Sequence, residues 1–415
     1  MRESLAVAQQ SMGDAEKTFP LHPPMLDGCP ETSSEDVQYP LEIAYDYRRV
    51  DRLIFRQEPL PGIERWSSLL PPLLPGLSMG EGGTPLITTP KVAEWAGFDG
   101  EVFIKDESQN PTWSHKDRLN MCTVSAAVHS GAPGVVVASS GNHGASAAAY
   151  AARAGIPCIM ITSDDAPKAI LSFALGYGAA LLAAPTEARW AAVRLIREKL
   201  GFQPVSNQTT FHTGHPFGTE GYKSIAFELY RQLGDRVPGT VFGPTGYGEM
   251  LMGVAKGFVE LRDLGMVDRV PRVISCEPSA RGPLAHAVRQ NVPVTRVEPH
   301  PTDAYAIGTA IGGFRGRAAL ERTNGYPVLI GDDEMREAQH EVGRSGIWQE
   351  LSSSSSIAGL RRALRDGSEV EGPVVCVSTS SGFKDRALGT HQVPKVTADW
   401  QEIQDVLRNS YGITN

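Results

Sequence analysis

The sequence predicts an α/β protein of parallel sheets covered by helices, long enough for two or more domains. Three observations carry this: short β-branched strands alternate with helix-forming segments, polar turns follow the strands, and 415 residues exceed what one hydrophobic core ordinarily serves. A repeated strand, helix, strand order gives parallel sheets covered by helices, and ligands gather beyond the carboxyl ends of such strands.

In chain order, residues 1–40 mix Pro, Gly, Ser and acids with little periodicity and read as an irregular arm. Tyr45, Tyr47, Trp66, Leu69 and Leu70 then bring apolar mass ahead of Pro71-Pro72-Leu73-Leu74-Pro75, the pattern of an extended arm anchored on a core. Val102–Lys105 predicts a strand and Lys116–Ser130 a helix after a polar loop. Next come strand Gly134–Ala138, a Ser-Ser-Gly-Asn turn and a helix over Ala145–Ala154. Pro157–Ile161 and Ala180–Ala183 predict strands on either side of a helix at Pro167–Leu175. Glu187–Leu200 is amphipathic, with Trp190, Val193, Ile196 and Leu200 on one face. The cycle repeats as helix Tyr222–Leu233, strand Thr240–Phe242, helix Leu251–Leu264 and strand Val273–Cys276, and Val374–Ser378 is the last sheet segment. Ser352–Ser356 reads as a polar loop with a helix cap at its end.

Composition narrows the function. The net charge of −8, with bases spread among acids, argues against nucleic acid and against an acidic membrane surface as partners. Cys29, Cys122, Cys158, Cys276 and Cys376 are far apart and read as core thiols in a reducing compartment, with no metal-ligand grouping among them. Neither a signal segment nor an apolar run of membrane-spanning length is present, so a soluble cytoplasmic protein is expected.

Four segments bear chemistry. Lys105–Arg118 ends in Ser114-His115-Lys116-Asp117-Arg118, which puts Lys116 at a loop-to-helix junction where a cleft can hold its amine and tune its pKa. Ser139-Ser140-Gly141-Asn142-His143-Gly144 follows a strand and faces the customary ligand crevice. Gly243-Pro244-Thr245-Gly246-Tyr247-Gly248-Glu249 lies between a strand and a helix, where backbone amides and the positive helix end can cradle a phosphate. It lacks the lysine and hydroxyl that end a nucleoside-triphosphate loop. Ser378-Thr379-Ser380-Ser381-Gly382-Phe383-Lys384-Asp385 sets hydroxyls beyond another strand. Taken singly, each is equally a solvated lysine, a turn or a cap.

Together with Gly80–Leu86, Glu220–Glu228 and Gly253–Phe258, this ordered set resembles the fold-type II pyridoxal-phosphate enzymes, especially the branch containing threonine synthase, over about residues 40–390. The resemblance implies a tryptophan-synthase-β-like fold with pyridoxal 5'-phosphate in the cleft. It implies a larger domain from residues 41–118 and 221–415, with a smaller domain, 119–220, inserted. By the same resemblance Lys116 carries the cofactor and shuttles protons, Asn142 bonds the cofactor 3'-oxygen, and the amides of Gly246, Tyr247 and Gly248 hold its phosphate. Thr379 would face the pyridine nitrogen, and Ser139, Ser140 and His143 would surround the substrate carboxylate. A neutral hydroxyl does not stabilise a protonated ring nitrogen as an Asp would, which suits elimination and replacement chemistry. A homodimer is implied as well; no metal is expected, since no ligand grouping offers a site.

Departures bear on the substrate. Trp113 stands where the family usually has Gly, and His115 where Phe is common. Threonine synthases commonly have an Asn-Pro-x-Arg whose Arg receives the phosphate of O-phosphohomoserine, whereas this chain has His215-Pro216-Phe217-Gly218. Glu249 replaces a common glycine, and its carboxylate is expected to point away from the cofactor phosphate. Only Cys29 remains near the arm, so a zinc knuckle is not supported. The expected activity is a lyase or synthase that binds a small amino acid as an external aldimine, removes a proton and expels a group from the β or γ carbon. Authentic threonine synthase, a serine or threonine dehydratase, and a noncatalytic binding or assembly protein remain open alternatives.

Overall fold

The computed structural model describes residues 1–56, 62–386 and 393–414. Strands β1 (Ala6–Ser11), β2 (Thr18–Phe19) and β3 (Leu41–Tyr45) form an antiparallel sheet in the order β2-β1-β3. This corrects the reading of residues 1–40 as irregular. Polar composition hid the strand: Gln9 is fully buried, yet its amide donates to the carbonyls of Pro20 and Pro23 and accepts from Met25 N, so the burial leaves no polar group unpaired.

Strands β4 (Leu86–Thr88) and β5 (Val102–Asp106) begin the larger sheet. Strands β6 (Val135–Ala138), β7 (Cys158–Thr162), β8 (Ala180–Ala183) and β9 (Gln203–Pro204) form a separate parallel sheet, β8-β7-β6-β9. Strands β10 (Thr240–Pro244), β11 (Arg272–Pro278), β12 (Pro327–Ile330) and β13 (Val374–Ser378) complete the six-stranded sheet, β12-β11-β10-β13-β5-β4. It is parallel except where β4 meets β5. The alternation read from sequence is present; β4 and β9, of three and two residues, escaped it because they are too short to show a period, and β12 was not read either.

The helix Lys116–His129 starts where expected, but the helix Asn142–Ala154 begins three residues before its alanine-rich run, which places Asn142 and His143 in its first turn. On the helix Thr186–Leu200 the anticipated apolar face buries Val193, whereas Leu200 is exposed at the open end. Ser352–Ser356 is not a surface loop. A 3-10 turn over Leu351–Ser354 runs into the helix Ser355–Arg365, and all five serines are buried. Ser355 donates to Ser352 O at 2.8 Å and Ser356 to Val377 O at 2.9 Å, while Ser352 Oγ accepts from Ala306 N and Ser354 Oγ from Gln349 Nε2, so these hydroxyls enter the core with polar partners.

The arm is anchored as its apolar residues suggest. Leu69, Leu70 and Leu73 are buried, and Trp66 packs on Phe227 with ring centres 5.2 Å apart. All five cysteines are buried and unpaired. Among the described residues no helix is long and apolar enough to cross a membrane.

Candidate active site

The loops after β6, β10 and β13 open onto one cleft of about 1000 Å³. Lys116, Ser139, Ser140, Asn142, His143, Gly246, Tyr247, Gly248 and Thr379 all line it. Segments some 240 residues apart thus meet at the carboxyl ends of parallel strands, as ligand sites in this architecture do.

Lys116 opens its helix, and its two successors fix that opening. Buried Asp117 accepts from Thr112 N at 2.7 Å, Thr112 Oγ1 at 2.5 Å and Ser146 Oγ at 2.6 Å. Burial pushes its carboxyl up to about 6 against these bonds. Fully buried Arg118 clamps Glu107 (Nε at 2.7 Å) and Glu228 (Nη1 at 2.6 Å), and Lys105 Nζ lies 2.7 Å from Glu228. The Lys116 amine, left facing the cleft, is lowered by burial while Glu249, 3.9 Å away, opposes the shift. Beside it the His115 ring stacks on Tyr222 at 5.4 Å, with Nδ1 3.1 Å from Thr379 O. Burial holds His115 well below the usual imidazole range and therefore neutral.

Trp113 has a φ of +61°, in the left-handed region that glycine adopts most freely. Its ring meets Phe173 edge-on at 5.1 Å and Phe383 at 5.6 Å, contacts that offset the backbone strain.

Across the cleft, Asn142 Nδ2 donates to Glu350 Oε2 at 2.9 Å and Asn142 Oδ1 accepts from Ser380 Oγ at 3.1 Å. Thr379 Oγ1 is 2.8 Å from Ser353 Oγ, which also accepts from Ser380 N at 3.0 Å. Glu350 and Ser353 therefore orient two of the anticipated residues, and no spacing pattern pointed to either. In the glycine loop, Gly248 has φ +83°, and a Cβ there would sit 2.4 Å from Gly316 Cα. Backbone amides thus stay open at the start of the helix Glu249–Asp263. Tyr247 stacks flat on His212, centres 3.8 Å apart.

Ser139 Oγ accepts from Gly141 N at 3.1 Å, and Ser140 Oγ lies 2.8 Å from both Ser163 Oγ and Arg189 Nη1. Sequence reading missed Arg189, whose second guanidinium nitrogen bonds Thr186 Oγ1. His143 Nε2 is buried without a partner, and burial pushes the ring down to about 3. Gly218 lies outside the cleft lining and packs on the helix that starts at Lys116. A Cβ there would come within 2.8 Å of Thr123 Cγ2 and 2.9 Å of Leu119 Cγ, so no arginine fits. The Gly218 departure is one of packing as well as charge.

A cleft-facing amine of lowered pKa, a glycine loop at a helix N-terminus, a neutral hydroxyl and an orphaned imidazole nitrogen together fit pyridoxal phosphate and a small amino acid. Residues 77–380 match the family described as "Pyridoxal-phosphate dependent enzyme". The chain belongs to this family. This pyridoxal-phosphate-dependent enzyme is 31% identical over 386 residues to threonine synthase of Methanocaldococcus jannaschii, covering 89% of this chain and 93% of that one. It is 34% identical over 313 residues to threonine synthase of Synechocystis sp., with 75% and 79% covered. Maize serine racemase shares its fold with a TM-score of 0.63 at 18% identity, covering 74% of this chain and 91% of that one. Threonine deaminase isoform 2 from Solanum lycopersicum does so with 0.61 at 21% identity, covering 78% and 82%. The cofactor is therefore pyridoxal phosphate, the fold is type II, and the pyridoxal-phosphate-dependent chemistry is elimination or replacement of the lyase kind at an amino acid's β or γ carbon.

Proposed function

We propose that the substrate is a small amino acid with an anionic leaving group, and that Lys116 is both the cofactor lysine and the proton carrier. The observation behind this is the charge of the cleft. Lys116, Arg189, Arg194, Arg281, Arg296 and Arg386 line it against only Asp165, Glu187 and Glu249, within a chain of net charge −8.

When bound, pyridoxal phosphate supplies the electron sink for carbanion chemistry. The amides of Gly246, Tyr247 and Gly248 would hold its phosphate, Asn142 would bond its 3'-oxygen, and Thr379 would meet its ring nitrogen with a hydroxyl. Ser139, Ser140 and His143 surround the substrate carboxylate. Lys116, freed from the cofactor, takes the substrate proton on its Nζ and returns it later. Arg189, bonded to Ser140, receives the departing oxyanion in the role that Gly218 cannot fill.

Incubation with O-phosphohomoserine, O-phosphoserine, O-acetylserine, serine and threonine, following phosphate, acetate and ammonia separately, tests the reading. Phosphate or acetate release should exceed ammonia release from the hydroxy amino acids, and Arg189→Ala should raise KM for the phosphorylated substrates. Faster deamination of serine or threonine would replace this reading with a dehydratase. The threonine synthase relatives, matched over most of the chain, favour a second reading, authentic threonine synthase, which threonine formation from O-phosphohomoserine would establish.

We further propose residues 41–118 and 221–415 as the larger domain and 119–220 as the inserted one, supported by β6 to β9 falling inside that insert and β4, β5 and β10 to β13 outside it. A homodimer in a reducing cytoplasm completes the proposal. The five buried unpaired thiols support the compartment, and a concentration-independent monomer mass would refute the dimer.

A further inference from the structure

Glu249 is a charged residue of the cleft that the reaction described above leaves unused. It opens the helix Glu249–Asp263, its side chain is 8% exposed, and its Oε2 lies 3.9 Å from Lys116 Nζ. Among the described residues Lys116 is the only cation within ion-pair distance of that carboxylate. The backbone is shaped around it: a Cβ on Gly214, itself at φ +62°, would lie 2.2 Å from Glu249 Oε1.

The remaining groups facing the carboxylate are His143 on the helix Asn142–Ala154, His212 and His215 on the loop after β9, Tyr222 and Tyr247, and Arg315 on the helix Phe314–Thr323. Burial lowers His212 to about 4 and His143 and His215 to about 3, so the imidazoles are neutral at pH 7. Arg315 is turned to the carbonyls of Thr213 and Leu41. Burial alone would raise Glu249, but the charges of His212, Lys116 and His143, the imidazoles being protonated in that acid range, outweigh it and hold the carboxyl at about 2. The carboxyl is therefore ionised at pH 7, where it acts as a fixed negative charge.

We infer that Glu249 is the counter-charge of Lys116, a positioning residue that faces the lysine nitrogen and stabilises the positive charge that nitrogen acquires when it takes up a proton. This rests on Lys116 being the cofactor lysine. The departure from glycine at position 249 then has a direct consequence. A fixed negative charge beside Nζ makes the free amine a stronger base when it takes the substrate proton. The proton resides on Nζ, the pair becomes ammonium and carboxylate, and the same proton goes back to the substrate or product carbon.

The test is a pH titration of the bound cofactor's visible absorbance band in the holoenzyme, comparing wild type with Glu249→Gln and Glu249→Asp. Removing an opposite charge at this distance should lower the midpoint by about one to three pH units in Glu249→Gln, and Glu249→Asp should recover at least half the shift. The kcat of Glu249→Gln should fall with little change in KM. An unchanged midpoint in a cofactor-loaded Glu249→Gln protein overturns the inference. Should Glu249→Gln not take up cofactor, the apo proteins serve. The pH midpoint for acetylation of Lys116 by acetic anhydride, read by peptide mass spectrometry, must fall in the variant, and equal midpoints refute the pairing. A wild-type holoenzyme whose visible band survives Lys116→Ala removes the Lys116 assignment instead, a different failure from an unshifted midpoint.

Discussion

Replacing Arg118 by Met removes one of two cations that balance two carboxylates in a site closed to water. The guanidinium reaches Glu107 at 2.7 and 2.8 Å and Glu228 at 2.6 and 2.8 Å, with further bonds to Ser224 at 2.8 Å and Thr84 at 3.2 Å. Without it, Lys105 alone faces Glu107 and Glu228, leaving one uncompensated negative charge where all the side chains are at most 5% exposed. Breaking a buried pair in this way costs about 3–5 kcal/mol, a large part of the roughly 5–15 kcal/mol that stabilises a typical domain. Urea unfolding followed by tryptophan fluorescence should show a loss of that size. Because Arg118 pins the helix turn that begins at Lys116, the cofactor's visible absorbance should disappear at lower urea than the fluorescence change. Adding Glu107→Gln to Arg118→Met neutralises the orphaned charge and should restore at least about 1 kcal/mol. A single variant within about 1 kcal/mol of wild type, or a double variant less stable than the single one, would refute the reasoning.

Gly248→Ala forces a Cβ to within 2.4 Å of Gly316 Cα at a positive φ, so it should destabilise the protein by about 1–3 kcal/mol and speed cofactor loss on dialysis. Trp113→Gly relieves a left-handed backbone worth about 1–2 kcal/mol and gives up two aromatic contacts of about 0.5–1.5 kcal/mol each, so the unfolding free energy should change by between a gain of about 1 and a loss of about 2 kcal/mol. For Glu42, burial would raise the carboxyl, but Lys256 and Arg322 outweigh it and hold it at about 2 against an ordinary 4.5. The folded value is the lower one, so its contribution is complete above about pH 4.5 and fades as pH falls toward 2. Glu42→Gln should lower stability at neutral pH and flatten its loss across that acid window, measured by thermal unfolding at stepped pH.

The sheet alternation and the cleft residues on the turns after β6, β10 and β13 were legible because each is a local pattern: an apolar run, then a polar turn, then a helix start. The opening of the helix at Asn142 was not, since asparagine and histidine are poor helix formers and tertiary contacts to Glu350 and Ser380 hold the first turn. Ser352–Ser356 was misread because five hydroxyls look like surface, and only the structure reveals the buried polar partners within their reach. Glu350, Ser353 and Arg189 act on partners 208, 26 and 49 residues away, distances at which spacing carries no information. Gly218 marks the limit from the other side. Its departure was visible, but the packing of Leu119 and Thr123 into the vacated space was not.

The place of β13 between β5 and β10 has a consequence for biosynthesis. A ribosome emits residues 102–106 and 240–244 long before residues 374–378, so the centre of the larger sheet stays open through most of translation. Two bare strand edges then face solvent, and an exposed edge is where one nascent chain captures another. Thr379 follows directly on that final strand. The event that closes the sheet therefore also completes the pocket, and a chain terminated before Val374 forfeits solubility and catalysis in one stroke.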